Sequence, residues 1–199
     1  PVTRRVATSH PADVAAVAEE IGFPVAVKAE GKRAGRSAEA GVAHELGDPS
    51  AVDRAVATKR AHLGDDAANV LVQRMAPPGV DIRIRAREDE RVGPVITVGL
   101  GGFQADAIAD EASRLAPVLP STALVMIAET RASAALVPDC REGLADVVSR
   151  VAQLASDHPE VAELDLNPVV VSADGCHVVD ARLTLHRPDR PAPAVRRLE

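Results

Sequence analysis

Glu163-Leu164-Asp165-Leu166-Asn167-Pro168-Val169-Val170-Val171-Ser172-Ala173-Asp174-Gly175-Cys176-His177-Val178-Val179-Asp180-Ala181-Arg182 is the stretch on which the fold turns. Two apolar runs rich in valine flank Asp174-Gly175, a dipeptide that favours a tight hairpin turn. A two-residue turn there pairs Ala173 with Cys176, and counting outward sets Val169 against Asp180 and Asn167 against Arg182. Period-two alternation then puts Asp165, Asn167, Asp180 and Arg182 on one face. Asn167 and Asp180 become diagonal neighbours, roughly 7–8 Å apart at the backbone, within common reach of one ion. Mg²⁺ is usually held by oxygen ligands from one or two side chains, with water and phosphate completing the shell. An exposed polar face carrying an Asp–Arg pair satisfies the same alternation, so the pattern leaves both readings open.

Upstream of the hairpin, strands and helices alternate irregularly. Val2 to Ala7 reads as a short strand, and a helix starts near Ser9 to Pro11. Val14, Val17, Ala18 and Ile21 recur at helical spacing, Gly22 stops the helix and Pro24 prevents its continuation. Val25 to Ala29 is an apolar strand carrying Lys28, followed by a small-residue loop over 30–40 and a returning strand, Gly41 to Leu46. Asp48-Pro49 caps a helix to about Leu63, and Asn69 to Gln73 is a further strand. Met75 to Gly79 is a Pro/Gly break. Val80 to Arg87 alternates cleanly, with Val80, Ile82, Ile84 and Ala86 inward and Asp81, Arg83, Arg85 and Arg87 outward. Val92 to Val98 is the next strand, ending at Gly99-Leu100-Gly101-Gly102, where close backbone approach and positive φ are permitted. Helices are predicted at about 121–130 and 141–156, and strands at Val161 to Ser172 and Cys176 to Leu185.

This order predicts an α/β or α+β protein in two lobes, residues 1–75 and 76–185, with 186–199 as a Pro/Arg-rich tail or linker. The 199 residues suffice for two small cores, and 46% apolar against 26% charged residues is the profile of an ordinary globular chain. A net charge of −6, two Phe and no Tyr or Trp argue against a nucleic-acid partner, since neither a basic field nor a base-stacking platform is available. No apolar run reaches the ~20 residues of a membrane span. Two cysteines, Cys140 and Cys176, make no disulfide framework and fit a cytoplasmic location. Lysine is scarce, three against 20 arginines, which singles out Lys28, whose ammonium must leave an apolar strand at an edge or meet an anion.

These pieces, in this order, resemble the ATP-grasp domain of NDP-forming acyl-CoA synthetases, the group of ADP-forming acetyl-CoA synthetase and succinyl-CoA synthetase β. The resemblance is carried by Gly22-Phe23-Pro24-Val25-Ala26-Val27-Lys28-Ala29, Val70-Leu71-Val72-Gln73-Arg74-Met75, and Gly93-Pro94-Val95 running into Gly99-Leu100-Gly101-Gly102. Arg114-Leu115-Ala116-Pro117, Glu163-Leu164-Asp165-Leu166-Asn167-Pro168 and Val179-Asp180-Ala181-Arg182 complete it, over about residues 3–185. It implies a two-lobed ATP-grasp fold, truncated at its N-terminus. It also implies that ATP or another NTP and Mg²⁺ are the cofactors. Lys28 would contact nucleotide phosphate, and Gln73, Arg74 and Met75 would form the hinge whose backbone reads adenine. Asp81 stands where the family usually has a ribose-binding Glu. Asn167 and Asp180 would hold Mg²⁺ with Asp165 beside them, and Arg182 would lie near the phosphates. The implied partners are CoA-binding acyl-CoA synthetase domains, in cis or on a second subunit, and a fused acetyltransferase domain is a further expectation.

Two departures bear on activity. The family relays phosphate through the His of a His-Lys-Ser/Thr-Asp/Glu stretch after the lysine strand, and here Gly35-Arg36-Ser37-Ala38 stands in its place. His44, nine residues on, falls on a strand. The family's Gly after the ribose carboxylate is Arg85 here. A degenerate ATP-grasp domain acting as a nucleotide-binding or regulatory module is therefore the first expectation, and the active ATP-grasp half of an acid–CoA ligase the second.

Overall fold

The computed structural model describes residues 5–8, 13–29, 42–64, 69–102 and 105–186. The chain falls into two compact units, the first reaching Ala76 and the second beginning at Pro77. Each is an antiparallel sheet with helices packed on one face, so the mixed α and β class expected from the sequence is what the chain adopts.

In the first unit, β1 (Arg5–Thr8), β2 (Val25–Ala29), β3 (Val42–Leu46) and β4 (Val70–Arg74) form a four-stranded sheet in the order β1-β4-β2-β3. Helices α1 (Val14–Ile21) and α2 (Pro49–Leu63) supply its core. The helical stripe read from the sequence is buried at Val14, Ala18 and Ile21, and these meet Val25 and Val27 of β2, Val70 and Val72 of β4, and Val52 and Val56 of α2. Gly22, at φ 90°, donates its N–H to the Ala18 carbonyl and ends α1. Asp48 caps α2 by accepting the Ala51 N–H at 2.8 Å.

In the second unit, β5 (Val80–Asp89), β6 (Gly93–Leu100), β7 (Glu111–Leu115), β8 (Val161–Ser172), β9 (Gly175–Val178) and β10 (Ala181–Leu185) make one sheet. Its order is β10-β8-β5-β6-β7, with β9 also on β8. A one-turn α3 (Ala105–Ile108), α4 (Pro120–Glu129), a 3₁₀ turn (Arg131–Ala135) and α5 (Pro138–Asp157) complete it. Met126 and Ile127 of α4 and Leu144, Val148 and Ala152 of α5 pack on Ile82, Ile84, Ile96, Leu166 and Val169. Strand β7 and the short α3 escape the sequence reading, because Glu111–Leu115 carries three polar residues in five and no turn signal announces it. Strand β6 also runs through Gly99 and Leu100, two residues beyond the end at Val98 that the sequence predicts.

The terminal hairpin needs a correction. Ser172 pairs with Gly175 and Val171 with Cys176, so Ala173-Asp174 is the turn, not Asp174-Gly175. Gly175 takes the positive φ of 110° at the start of β9. The register therefore slides by two residues from the one expected. Because the shift is even, side chains keep their face, but partners change: Arg182 is opposite Asp165, and the Asn167 N–H donates to the Asp180 carbonyl at 3.2 Å. Asn167 and Asp180 are directly opposed, not diagonal. The helix start near Ser9 to Pro11, the loop over 30–40 and the tail beyond His186 lie outside the described residues.

Ile84 is fully buried between sheet and helices, whereas Leu183 on β10 is 56% exposed. Ile84→Ala is expected to lower unfolding free energy by about 2–5 kcal/mol and Leu183→Ala by under about 0.5 kcal/mol. Denaturant titration followed by far-UV circular dichroism checks both, and equal effects would contradict this core.

Candidate functional site

The second unit brings most of the expected residues onto the sheet face that α4 and α5 leave uncovered. Strand β8 is interior, between β5 and β10, yet it contains Pro168, which has no N–H for a ladder. The sheet accommodates it with a bulge. Ile82 pairs with Val169 and Ile84 with Leu166, so Asn167 and Pro168 together face the single residue Arg83. On the other side of β8, the return strand is interrupted at Val179 and Asp180, between β9 and β10. There the Val179 N–H donates to the Pro168 carbonyl at 3.0 Å. Asn167 and Asp180 thus meet where both neighbouring ladders are broken.

The glycine cluster folds onto the same spot. Gly101 donates its N–H to the Asp81 carbonyl at 2.8 Å, and Gly102 donates to Asn167 Oδ1 at 2.8 Å. Both positions require glycine. A Cβ on Gly101 would lie 2.6 Å from the Ile82 carbonyl carbon, and one on Gly102, at φ 80°, would lie 2.9 Å from Asp81 Oδ2. The carboxylate of Asp81 is therefore held against a bare backbone. It is half-buried, and burial pushes its pKa above the ordinary carboxylate value.

Asp165 is placed differently from an open ligand. Arg83 grips both of its oxygens, Nε at 2.8 Å and Nη2 at 2.6 Å, in a bidentate pair with both side chains mostly buried. Arg182 is exposed on the edge strand β10, opposite Asp165. The sequence reading missed the Arg83–Asp165 fork, although the outward parity of Arg83 was its visible signal. It also missed the Gly102–Asn167 bond, which joins residues 65 apart in the chain.

In the first unit, Lys28 lies on β2, opposite Leu71 of β4 and Val42 of β3. This is an interior strand, not an edge, and Lys28 is half-buried on the face away from the α1–α2 core. Gln73, 2% exposed, shares that face and pairs with Ala26. Arg74 is exposed on the opposite face of β4, so the two adjacent residues project apart. The Met75 N–H donates to the Pro24 carbonyl at 3.0 Å, so that donor is already engaged. The aligned Gly35-Arg36-Ser37-Ala38 lies outside the described residues, and His44 is exposed on β3.

Among the described residues no cluster of three or more His, Cys, Asp or Glu side chains has metal-binding proximity. A site resting on one asparagine and one aspartate, with a further carboxylate nearby, is a sparse oxygen donor set that suits a cation carrying water and phosphate ligands. The residues present fit Mg²⁺ on that ground. Cysteines Cys140 and Cys176 are free and buried. No helix of the described residues is long and apolar enough to cross a membrane.

Residues 1–185 match the ATP-grasp domain family. This chain is an ATP-grasp domain. Its relatives include ADP-forming acid–CoA ligases. It is 31% identical over 178 residues to the β subunit of an ADP-forming acetate–CoA ligase from Pyrococcus furiosus, covering 83% of this chain and 77% of that subunit. It is 29% identical to a 4-hydroxybutyrate–CoA ligase (ADP-forming) from Nitrosopumilus maritimus, covering 93% of this chain. It spans 28% of that ligase and 18% of an acetate–CoA ligase (ADP-forming) from Archaeoglobus fulgidus. The fold superposes on acetyl-coenzyme A synthetase 1 of Candidatus Korarchaeum cryptofilum in complex with coenzyme A and Ca-AMPCP. The TM-score is 0.84 at 30% identity, over 94% of this chain and 86% of that one. Another structure of that enzyme holds coenzyme A and Mg-AMPPCP.

The raised pKa of Asp81 fixes a sign. Its folded value lies above its unfolded value, so the unfolded state releases the proton first as pH rises. The stability contributed by the protonated group is complete below the unfolded value and is lost as pH climbs through the folded one. Asp81→Asn is therefore expected to unfold at a higher temperature than the parent at pH 7, with the difference vanishing below about pH 4. Scanning calorimetry at both pH values checks it. A parent more stable than the variant at pH 7 would mean the carboxylate is structurally required.

Proposed function

We propose that this ATP-grasp domain binds Mg²⁺–nucleotide and works as a nucleotide-binding or regulatory module of a larger acyl-CoA synthetase-like protein, without relaying phosphate through its own histidine. The observation that carries the binding half is the meeting of Asn167 and Asp180 at the broken ladders beside Pro168, with Gly102 and Asp81 packed against them. Asn167 and Asp180 are the residues that would hold Mg²⁺. When bound, the ion neutralises phosphate charge and orients the nucleotide.

The chain's own groups would do the rest. Asp81, held against Gly102, would take the ribose hydroxyls, as its place after β4 suggests. Arg83 keeps Asp165 neutralised, so that the carboxylate does not repel an incoming phosphate. Lys28 would supply a point charge for phosphate, and the segment Gln73 to Met75 a backbone edge for the purine.

The second half of the proposal rests on composition. A phosphoenzyme needs a nucleophile, and Gly35-Arg36-Ser37-Ala38 offers no histidine where the family's relay residue belongs. The alternative is an active nucleotide half of an acid–CoA ligase, favoured by the 31% identity to the Pyrococcus β subunit across most of that subunit. CoA-binding synthetase domains, in cis or on a second subunit, are the expected partners in either case.

Titration calorimetry of ATP with Mg²⁺ tests the binding half. Micromolar affinity is expected for the parent, falling at least tenfold in Asp180→Ala and on omission of Mg²⁺. No binding at millimolar ATP would sink this reading. Incubation of the longest available chain with γ-labelled ATP separates the alternatives: no label stable to base and labile to acid is expected, and its appearance would establish an active relay.

A further inference from the structure

We propose that Cys140 and Cys176 form a thiol–disulfide modification site on the helix side of the second sheet, closed by small-molecule disulfides and reopened by thiols. The two residues come from different layers of the unit. Cys140 is in the first turn of α5, and Cys176 lies on β9, opposite Val171 of β8. Both are free thiols, buried in the core that α5 and the sheet share. The site is on the opposite face of the sheet from Asp81 and Asn167, so it does not rest on the nucleotide reading.

Independent observations bring the two sulfurs to one seam. Cys140 Sγ donates to the Ser172 carbonyl at 3.1 Å, and Ser172 is directly opposite Gly175, the chain neighbour of Cys176. Cys176 Sγ lies 3.8 Å from where a Cβ on Gly143 would stand. Gly143 follows Cys140 by three residues on α5, a spacing that sets Cβ positions on one helix face about 5–6 Å apart. Cys176 therefore reaches onto the helix face that Cys140 occupies. The two groups also feel each other's charge: burial first, and then the neighbouring Cys140, push the Cys176 thiol above its ordinary pKa. Gly143 supplies the way in. It is exposed and stands inside a helix, where glycine is less stable than alanine. Outside its own helix, a Cβ there would be in ordinary contact with Cys176 Sγ and with no other atom of the described residues, so no steric demand calls for glycine. What the missing side chain does is leave the sulfur uncovered.

The oxidant is a small-molecule disulfide, and the exchange runs in two steps. One cysteine loses its proton to solvent, and its thiolate attacks a sulfur of the reagent, forming a mixed disulfide and expelling one small thiolate. The other cysteine then loses its proton and attacks the protein sulfur of the mixed disulfide, forming the Cys140–Cys176 bond and expelling the second small thiolate. Two cysteine thiols are oxidised by two electrons, and one small disulfide is reduced to two thiols. Closing the bridge requires Cys140 to give up the Ser172 carbonyl and turn toward β9, since a disulfide holds its Cβ atoms about 3.5–4.5 Å apart. The bond ties the first turn of α5 to the hairpin of β8 and β9.

Oxidation of the whole chain by glutathione disulfide at about pH 8.5, where thiolate is available, tests the site. The product is blocked with iodoacetamide in denaturant and weighed intact. The expected product is lighter than the parent by two hydrogen atoms, resists alkylation, and yields on proteolysis a cross-linked peptide pair containing Cys140 and Cys176. It is expected to unfold about 5–10 °C above the reduced chain in scanning calorimetry, and dithiothreitol reverses both changes. Cys140→Ala and Cys176→Ala each take up at most one glutathione and form no internal cross-link. Gly143→Leu is expected to close at least about tenfold more slowly than Gly143→Ala, a variant of nearly equal helix propensity. Equal rates in those two would overturn Gly143 as the way in. A parent that carries two glutathiones has its sulfurs too far apart, and overturns the site. So do thiols that remain fully alkylatable after prolonged oxidation, or cross-links that form only between chains.

Discussion

A single missing N–H organises the second unit. Pro168 sits in a strand with neighbours on both sides, where every backbone donor is normally consumed. The sheet answers with two residues against one on the β5 side and an interrupted return strand on the other. Val169 thereby comes back to the core side occupied by Leu164 and Leu166, and the apolar face stays continuous despite the bulge. Asn167, on the uncovered side, gains room to accept the Gly102 N–H. Irregular backbone and candidate ligand position have one cause.

Both units divide labour between faces in the same way. Valine and isoleucine at every second position meet the helices, and the other positions carry the polar and charged groups. The arrangement lets one face stabilise the unit while the other accumulates groups that are costly to keep in the protein. Asp81 is such a group, since burial raises its pKa. Lys28 and Gln73 occupy the corresponding face of the first sheet, Gln73 almost wholly buried.

Much of this was legible in the sequence. The stripe Val14, Ala18, Ile21 and the alternation Ile82, Ile84, Ala86 report burial directly, because period alone determines which positions face the helices. The parity of Asp165, Asn167, Asp180 and Arg182 was legible for the same reason. Register was not. Asp174-Gly175 favours a turn strongly enough to mislead by two residues, since Gly175 uses its positive φ to open β9 rather than to close the loop. The fork from Arg83 to Asp165 and the reach of Gly102 to Asn167 were hidden because they depend on the bulge, which only the pairing of three strands defines. Pro168 was the available clue, and its meaning appears only once β8 is known to be interior.

Strand β10 ends the sheet, with all five residues exposed and Leu183 and Leu185 at 56% and 60% exposure. An edge of that kind can template the addition of another chain's strand, and charged side chains are what commonly discourage it. Arg182 is the charged residue on β10, beside Leu183. Its guanidinium therefore serves colloidal behaviour: neutralising it leaves an apolar ribbon at the rim of the sheet formed by the described residues. A lineage that lost its ligand would still have reason to keep an arginine there.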